Sequence, residues 1–325
     1  MSRELGVALP FWLDRPDEEA VEIAIEAERA GADTVWVGEL ATFDAFALAT
    51  GVGLRTERIR LKVGPLPVGV RSPVAIALGA ASVATLVGRP VGIALGCSSP
   101  TIVTAWHDRP WNGLAGRMHE TILVLRALLS GERAQFEGEH VRAHGFKLRR
   151  PLPETSIAVA AFGKALTRVA ARDSDELVLN LVPPLHVAAV RAEMDAHAAE
   201  AARPSPRLAV WVPCALDPGE RAAAQLAGQL AIYLGAPGYA DMFARLGFRA
   251  LVDRARAGAP RAELATAIPF QLLSQIAALG SLGDIQARIA EYHDAGADHV
   301  AVVPSTAEDP AGRRLLDGLS RQVLA

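Results

Sequence analysis

Short runs of apolar, often β-branched residues recur along the chain and alternate with longer segments of helical periodicity. Eight of these runs predict β-strands, at Leu5–Leu9, Thr34–Val37, Ile59–Val63, Val91–Leu95, Ser156–Ala160, Glu176–Leu179, Leu208–Pro213 and His299–Val303. Most are apolar on both faces, as strands of a buried parallel sheet are. The intervening segments predict helices near 18–30, 43–54, 73–87, 115–130, 164–172, 185–201 and 282–295, and a last helix at 309–323.

The third and fourth predicted strands show the repeating unit most clearly. They flank the apolar helix Pro73–Val87, and this β-α-β order makes the two strands parallel. Both strands are expected to stop at glycine-bearing turns, Gly64–Pro67 and Gly96–Pro100. The carboxyl ends of parallel strands are where α/β folds bind their ligands, so these turns are candidate site segments.

Two similar sequence segments near opposite ends of the chain support one sheet built from repeated units. Residues 28–38 read ERAGADTVWVG and residues 293–303 read HDAGADHVAVV, each a helix end, a capping glycine and a strand. Eight strands in βα alternation predict a closed (β/α)8 TIM barrel, with an open doubly wound sheet as the alternative. The absence of a GxGxxG motif after any strand weakens that alternative.

Three longer segments interrupt the alternation. Residues 98–114 follow the fourth strand, and residues 133–152 predict a β-hairpin that turns at Gly138-Glu139. Residues 218–279 follow the seventh strand and contain several glycine- and proline-bearing breaks. Because no Ser/Gly-rich linker separates two parts of the chain, residues 1–325 are interpreted as a single domain with insertions after strands 4 and 7.

Composition narrows the function classes. The 325 residues are 51% hydrophobic with a net charge of −3, and no basic stretch indicates nucleic-acid binding. No signal-peptide pattern begins the chain, and its apolar stretches are shorter than the ~20 residues that a membrane-spanning helix needs. The chain has two cysteines, Cys97 and Cys214, and no HExxH motif. The sequence therefore indicates neither a disulfide framework nor a metal site. We therefore expect a cytoplasmic protein with a small-molecule substrate and no metal.

Several stretches, in this order along most of the chain, resemble the bacterial luciferase-like flavin and deazaflavin oxidoreductases, and more narrowly the branch that uses coenzyme F420. They are AIEAERAGADTVWVGE (24–39), ATGVGLRTERIRLKVGPLPVGVRSPVAIALGAASVATLVGRPVGIALG (49–96), RMHETILVLRALLSG (117–131), FEGEHVRAHGFKLRRPLP (136–153), SIAVAAFGKALTRVAARDSDELVLNLVPP (156–184) and GSLGDIQARIAEYHDAGADHVAVVP (280–304). The resemblance is weakest over 205–279 and implies a (β/α)8 barrel.

The candidate cofactor-binding residues come from three strand ends. The resemblance implies a bulge at Gly64-Pro65, often with a cis peptide, that presses against the deazaflavin ring. It also implies that the turn after the fifth strand holds the cofactor phosphate, which agrees with small residues and a lysine at a helix N-terminus. The hydroxyl-bearing turn after the fourth strand can donate to phosphate or to a ring carbonyl. The full set is Gly64, Pro65, Gly96, Cys97, Ser98, Ala160, Ala161, Phe162, Gly163 and Lys164.

The catalytic candidates are Glu39, after the second strand, and His107, in the insertion after the fourth. Relatives in the F420 branch commonly have an acidic residue followed by histidine, whereas Leu40 stands in the second position here. Glu39 is a candidate acid or base, with a carboxylate bonded to nearby loops as the alternative, and His107 is a candidate replacement for the missing histidine.

The resemblance implies an oxidoreductase that uses F420 for hydride transfer to or from a small organic substrate. Two alternatives stay open: an FMN-dependent luciferase-like monooxygenase, and a catalytically silent barrel that only binds a cofactor. The silent barrel is motivated by Leu40 and Cys97, which depart from the family pattern. Relatives often pair through early helices, and Val74–Val87 is apolar nearly all round, so a homodimer is expected. The same pattern equally suits a helix buried within one chain.

Overall fold

A closed ring of eight parallel strands forms the centre of the computed structural model, which describes residues 4–39 and 41–320. The strands of this described part are β1 (Glu4–Ala8), β2 (Thr34–Val37), β3 (Arg60–Pro67), β4 (Val91–Gly96), β5 (Arg133–Glu137), β6 (Arg142–Lys147), β7 (Ile157–Ala160), β8 (Glu176–Asn180), β9 (Arg207–Leu216), β10 (Ala278–Gly280) and β11 (His299–Pro304). The ring runs β1-β2-β3-β4-β7-β8-β9-β11 and closes through the pairing of β11 with β1. This is the predicted (β/α)8 barrel.

Helices follow the strands and cover the outside of the ring. They are α1 (Glu19–Arg29), α2 (Ala45–Gly53), α3 (Pro73–Val87), α4 (Leu114–Leu129), α5 (Lys164–Asp173), α6 (Pro184–Glu200), α7 (Glu220–Tyr233), α8 (Tyr239–Phe243), α9 (Arg249–Arg256), α10 (Arg261–Ala267), α11 (Phe270–Ile276), α12 (Leu282–Asp294) and α13 (Arg313–Ser320). Among residues 4–39 and 41–320, no helix combines the length and apolar character needed to cross a bilayer.

The third strand differs from its prediction. The sequence suggested a stop at Gly64, but β3 continues to Pro67, and its pairing with β4 shifts register between Val63 and Leu66. A bulge therefore replaces the expected turn, because one strand gains extra residues and pairing then resumes. The Gly64–Pro65 peptide within this bulge is cis, as predicted.

The two similar segments, residues 28–38 and 293–303, occupy equivalent places in the ring. Gly31 ends the turn after α1 with φ +79°, and Gly296 follows α12 with φ +102°. These are left-handed conformations that glycine adopts without steric cost. The strands that follow, β2 and β11, lie on either side of β1.

The insertions take different forms. β5 and β6 form the predicted antiparallel hairpin, and Glu120 on α4 accepts hydrogen bonds from three consecutive backbone N–H groups, at residues 139–141, over 2.7–3.0 Å. Residues 101–106 after β4 form one π-helical segment. The long insertion after β9 contains α7–α11 and ends in β10, a three-residue strand that the sequence pattern did not indicate.

Three ionisable side chains from distant strands meet inside the barrel. Lys62 on β3 forms an ion pair with Glu176 on β8, and His299 Nδ1 on β11 lies 3.6 Å from the other Glu176 oxygen. The Lys62 ammonium also lies 4.5 Å from the ring centroid of Trp36, within cation–π range. Burial alone would raise the pKa of Glu176, but His299 and the charge of Lys62 outweigh it and lower this pKa from 4.5 to about 2.

Removing the Glu176 charge should destabilise the fold strongly. Glu176→Gln leaves the Lys62 ammonium in the barrel without its anion, so we expect a loss of about 3–5 kcal/mol in the free energy of unfolding. Urea unfolding at neutral pH measures this loss.

The double variant Lys62→Met/Glu176→Leu is the matched control, because it removes both charges and should recover most of the stability. Since the folded-state pKa is lowered, the carboxylate stabilises the fold above pH 4.5, and this contribution is lost as pH falls from 4.5 towards 2. A Glu176→Gln protein that lost stability over this interval as steeply as the wild type would contradict the assignment.

Candidate functional site

Predicted cofactor residues from three neighbouring strands meet at the carboxyl end of the barrel. A Cβ atom built on Gly96 at the end of β4 would lie 3.0 Å from Pro65 Cβ on β3 and 3.8 Å from Ala160 Cβ on β7. We call this contiguous surface of Gly64, Pro65, Gly96 and Ala160 the mouth wall. These residues carry almost no side chain, so the strand ends pack closely and present little bulk to a flat ring that approaches them.

The turn between β7 and α5 offers unused donors. Gly163 has φ +84°, and no side chain caps the first turn of α5. The first N–H groups of a helix have no partner within the helix and carry a partial positive charge. This donor set fits a phosphate, with Lys164 as the first residue of the helix and exposed to solvent.

Aromatic packing fixes the position of that turn. The ring of Phe162 lies 5.3 Å from the ring of His186 in α6 and 4.4 Å from Tyr239 in α8, centroid to centroid. Gly238 approaches so closely that a Cβ there would lie 2.6 Å from the Phe162 ring. The insertion after β9 therefore packs directly on the predicted phosphate turn, in which Ala161 is buried.

The turn after β4 combines a buried thiol with an exposed hydroxyl. Cys97 is 8% exposed, and burial raises the pKa of its thiol to about 11. The thiol is thus protonated at neutral pH, which argues against a nucleophilic role. Trp111 Nε1 donates to the Cys97 carbonyl over 3.1 Å, and Ser98 is exposed with φ +57°.

Glu39 is engaged in an ion pair beside the mouth wall. Arg71 donates Nε to one Glu39 oxygen over 2.8 Å and Nη2 to the other, and the same Nη2 also pairs with Asp44. Asp44 in turn caps α2 by accepting from Phe46 N and Ala47 N over 2.9 and 3.0 Å. The arrangement matches the alternative interpretation of Glu39 as a carboxylate bonded to nearby loops. The role of Glu39 as a catalytic acid or base stays a prediction.

The second catalytic candidate lies apart from this ion pair. His107 is exposed at the end of the π-helical segment after β4. The structure thus brings Glu39 together with Arg71 and Asp44 but records no contact between Glu39 and His107 among the described residues. Leu40, the departure from the family pattern, lies outside the described residues.

The sequence analysis missed three polar side chains at the same end of the barrel. Asn180 ends β8 and interacts with the phenols of Tyr233 and Tyr239 from the insertion. Burial raises the pKa of both phenols, and Asn180 partly offsets this effect. A polar residue ending the apolar strand ELVLN was the available signal, because side chains at strand carboxyl ends face the site in such barrels.

Replacing Arg71 should raise the pKa of Asp44. Burial opposes ionisation of this carboxyl, but the hydrogen bond from Arg71 and the α2 N–H groups hold its pKa below 3.8. In Arg71→Met we expect the Asp44 pKa to rise, since the arginine contribution is lost while the backbone bonds remain. A carboxyl-carbon NMR titration measures it, with Arg58→Met as the control, and an unchanged Asp44 titration would contradict the ion-pair geometry.

The chain was compared with known proteins. A model of the luciferase-like monooxygenase family matches residues 11–299. A putative coenzyme F420-dependent oxidoreductase of Mycobacterium tuberculosis is 27% identical, over 94% of this chain and 96% of that protein.

Solved structures share the barrel at low identity. An F420-dependent secondary alcohol dehydrogenase in complex with an F420-acetone adduct gives a TM-score of 0.81 at 17% identity, covering 99% of this chain and 98% of that one. A second solved structure is the oxygenating constituent of 3,6-diketocamphane monooxygenase from Pseudomonas putida in complex with FMN. Its TM-score is 0.72 at 17% identity, and the match covers 99% of this chain and 98% of that one. At such identities the likeness concerns the fold, while the family model spans most of the sequence. The chain belongs to the luciferase-like monooxygenase family.

Proposed function

We propose that this protein is an oxidoreductase that uses coenzyme F420 to transfer a hydride to or from a small organic substrate. The observation that carries the proposal is the mouth wall, which lies at the carboxyl end of the barrel beside the uncapped start of α5. The family membership and the F420-dependent name of the full-length curated relative support the choice of cofactor.

Each part of the site has a distinct task in this function. The mouth wall lets a flat deazaflavin ring approach the backbone of β3 and β4, while the first N–H groups of α5 receive the phosphate. Phe162, held between His186 and Tyr239, fixes the turn that presents those groups. The bound cofactor supplies the hydride chemistry, and the protein binds and orients it.

For the proton that accompanies hydride transfer, Glu39 and His107 remain the proposed groups. Glu39 lies at the end of β2, where Arg71 fixes both of its oxygens. His107 is on an exposed insertion, so a role for it would require the insertion to close over a bound substrate.

An FMN-dependent monooxygenase is the second candidate, because FMN also ends in a phosphate and has a flat ring. The FMN-bound neighbour has the same barrel, so the fold does not separate the two cofactors. Paired titration of the protein with F420 and with FMN, followed by fluorescence, distinguishes them.

Filling the mouth wall should block cofactor binding. Gly96→Val places methyl groups between Pro65 and Ala160. We therefore expect F420 to bind about tenfold more weakly, which is a loss of about 1.4 kcal/mol in binding free energy. Gly51→Val on α2, where a Cβ meets nothing within 4 Å, is the matched control and should bind normally. Fluorescence titration gives both dissociation constants.

The outcomes of these titrations separate the candidates. Wild-type protein that binds FMN but leaves F420 fluorescence unchanged would overturn the F420 assignment. Binding of F420 without oxidation of its reduced form by any member of an enone and nitro-compound panel would instead favour the silent barrel.

We also propose a homodimer that forms through α3. Leu78 and Leu86 on this helix are 52% and 63% exposed, so α3 presents large apolar side chains on its outer face. Leu78→Asp/Leu86→Asp should convert the dimer to monomers in sedimentation velocity, because charges would enter the apolar contact. Phe270→Asp, at a residue 60% exposed on α11, should leave the dimer intact. A monomeric wild type at micromolar concentration would rule out this assembly.

A further inference from the structure

Three uncharged polar side chains meet beside the mouth wall, and the proposed cofactor contacts use none of them. Asn180 ends β8 and interacts with two phenols of the insertion. These belong to Tyr233, at the end of α7, and Tyr239, at the start of α8. We call the three residues the amide–phenol cluster. Each of them is partly exposed, so the cluster is open to a ligand from solvent.

The strand register directs Asn180 into the barrel. Its partner on β9 is Trp211, and paired residues of neighbouring strands point to the same face of a sheet. The ring of Trp211 lies 5.6 Å from the ring of Trp36 on β2, centroid to centroid. Because β11 and β1 separate β9 from β2 in the ring of strands, these two side chains meet across the barrel interior. Asn180 therefore points inwards as well.

The same register places the cluster next to the mouth wall. Ala160, the member of the mouth wall on β7, pairs with Val178 on β8. Asn180 follows two residues later, so it lies on the same inward face and about 7 Å further along the strand. The ring of Tyr239 lies 4.4 Å from that of Phe162 in the predicted phosphate turn. A substrate beside a flat ring at the mouth wall would therefore be within reach of the cluster.

The backbone after Asn180 is held in an unusual conformation. Leu181 is buried and has φ +54°, in the left-handed region that leucine rarely adopts. Such conformations persist only where the surrounding structure imposes them, and they are concentrated at functional sites. The rings of Tyr233 and Tyr239 pack 5.0 Å apart, which restrains the other two members. The cluster is thus fixed in place before a ligand arrives.

The chemistry of the cluster suits an uncharged oxygen. Burial raises the pKa of both phenols, so both are protonated at neutral pH, and no charged side chain of the described residues contributes to either shift. An amide and two hydroxyls can donate hydrogen bonds, but they lack the positive charge that would offset the desolvation of a carboxylate or phosphate. The buried Nε1–H of Trp211, which has no partner within residues 4–39 and 41–320, is a further neutral donor on this face.

We propose that the amide–phenol cluster binds the oxygen atom of an uncharged carbonyl or hydroxyl substrate. This inference deepens the proposed function and rests on it for the hydride chemistry. When a hydride adds to a carbonyl carbon, the C=O electron pair moves onto the oxygen, which then takes a proton from water. Neutral donors already in place around that oxygen stabilise the developing charge.

The test uses pairs of probes that differ in the oxygen atom. Acetone, cyclohexanone and acetophenone are each paired with the alkene in which CH2 replaces the oxygen, namely isobutene, methylenecyclohexane and α-methylstyrene. Ligand-observed NMR gives the dissociation constants for the full chain, both alone and with oxidised F420. We expect at least one ketone to bind, and its 13C-labelled carbonyl signal to move downfield because hydrogen bonding deshields that carbon.

Variants locate the donors. Tyr239→Phe and Asn180→Leu should each weaken ketone binding about three- to tenfold, because each removes a hydrogen bond, and should not weaken binding of the paired alkene. Tyr239→Phe keeps the ring that packs on Phe162. Tyr292→Phe is the matched control, since it removes a hydroxyl that donates to the Val182 carbonyl over 2.7 Å. It should leave the ratio of ketone to alkene affinity unchanged.

The possible results separate this inference from the function on which it rests. Ketone binding that depends on Tyr239 in a protein that does not bind F420 would refute the proposed function and leave the oxygen site standing. If F420 binds but Tyr239→Phe and Asn180→Leu affect each ketone and its alkene equally, the cluster is structural and the oxygen site is overturned. Failure of all three ketones to bind would overturn it too.

Discussion

The contact between β3 and β4 at Gly64 is the constraint on which the mouth wall depends. Gly64 has φ +125°, and a Cβ atom there would overlap the carbonyl oxygen of Ala94 on β4. The two backbones come this close only because neither side chain intervenes. The resulting register shift carries β3 past the bulge and sets Pro65 against Gly96, which is in turn next to Ala160. One backbone contact thus aligns the ends of three strands.

The alternation of apolar runs and helical segments was sufficient to predict the barrel, and the bounds of β2 and α3 agree with the structure residue for residue. The end of β3 was wrong because a Gly-Pro pair is a local stop signal, whereas the continuation of the strand depends on where β4 runs. β10 has three residues, too few for any periodicity, and exists because the end of β9 offers an unpaired edge.

Side-chain pairing over long sequence separations limited the prediction of the site. Glu39 is 32 residues from Arg71, and Lys62 is 114 residues from Glu176. The polar residues inside apolar strands were visible in the sequence, but their partners depend on which strands face each other across the closed ring. The sequence therefore left Glu39 as either an acid or base or a loop-bonded carboxylate, and the structure adds the arginine that restrains it.

Helix α5 carries two kinds of positive charge that differ in range. Its first N–H groups are fixed dipoles beside the half-buried Phe162 turn, and they act on a phosphate at short distance. Lys164, Arg168 and Arg172 are exposed on the same helix, and the attraction of such charges falls with ionic strength. Because F420 and FMN both have a flat ring and a phosphate, the proposed site at the mouth wall and the start of α5 does not by itself separate the two cofactors.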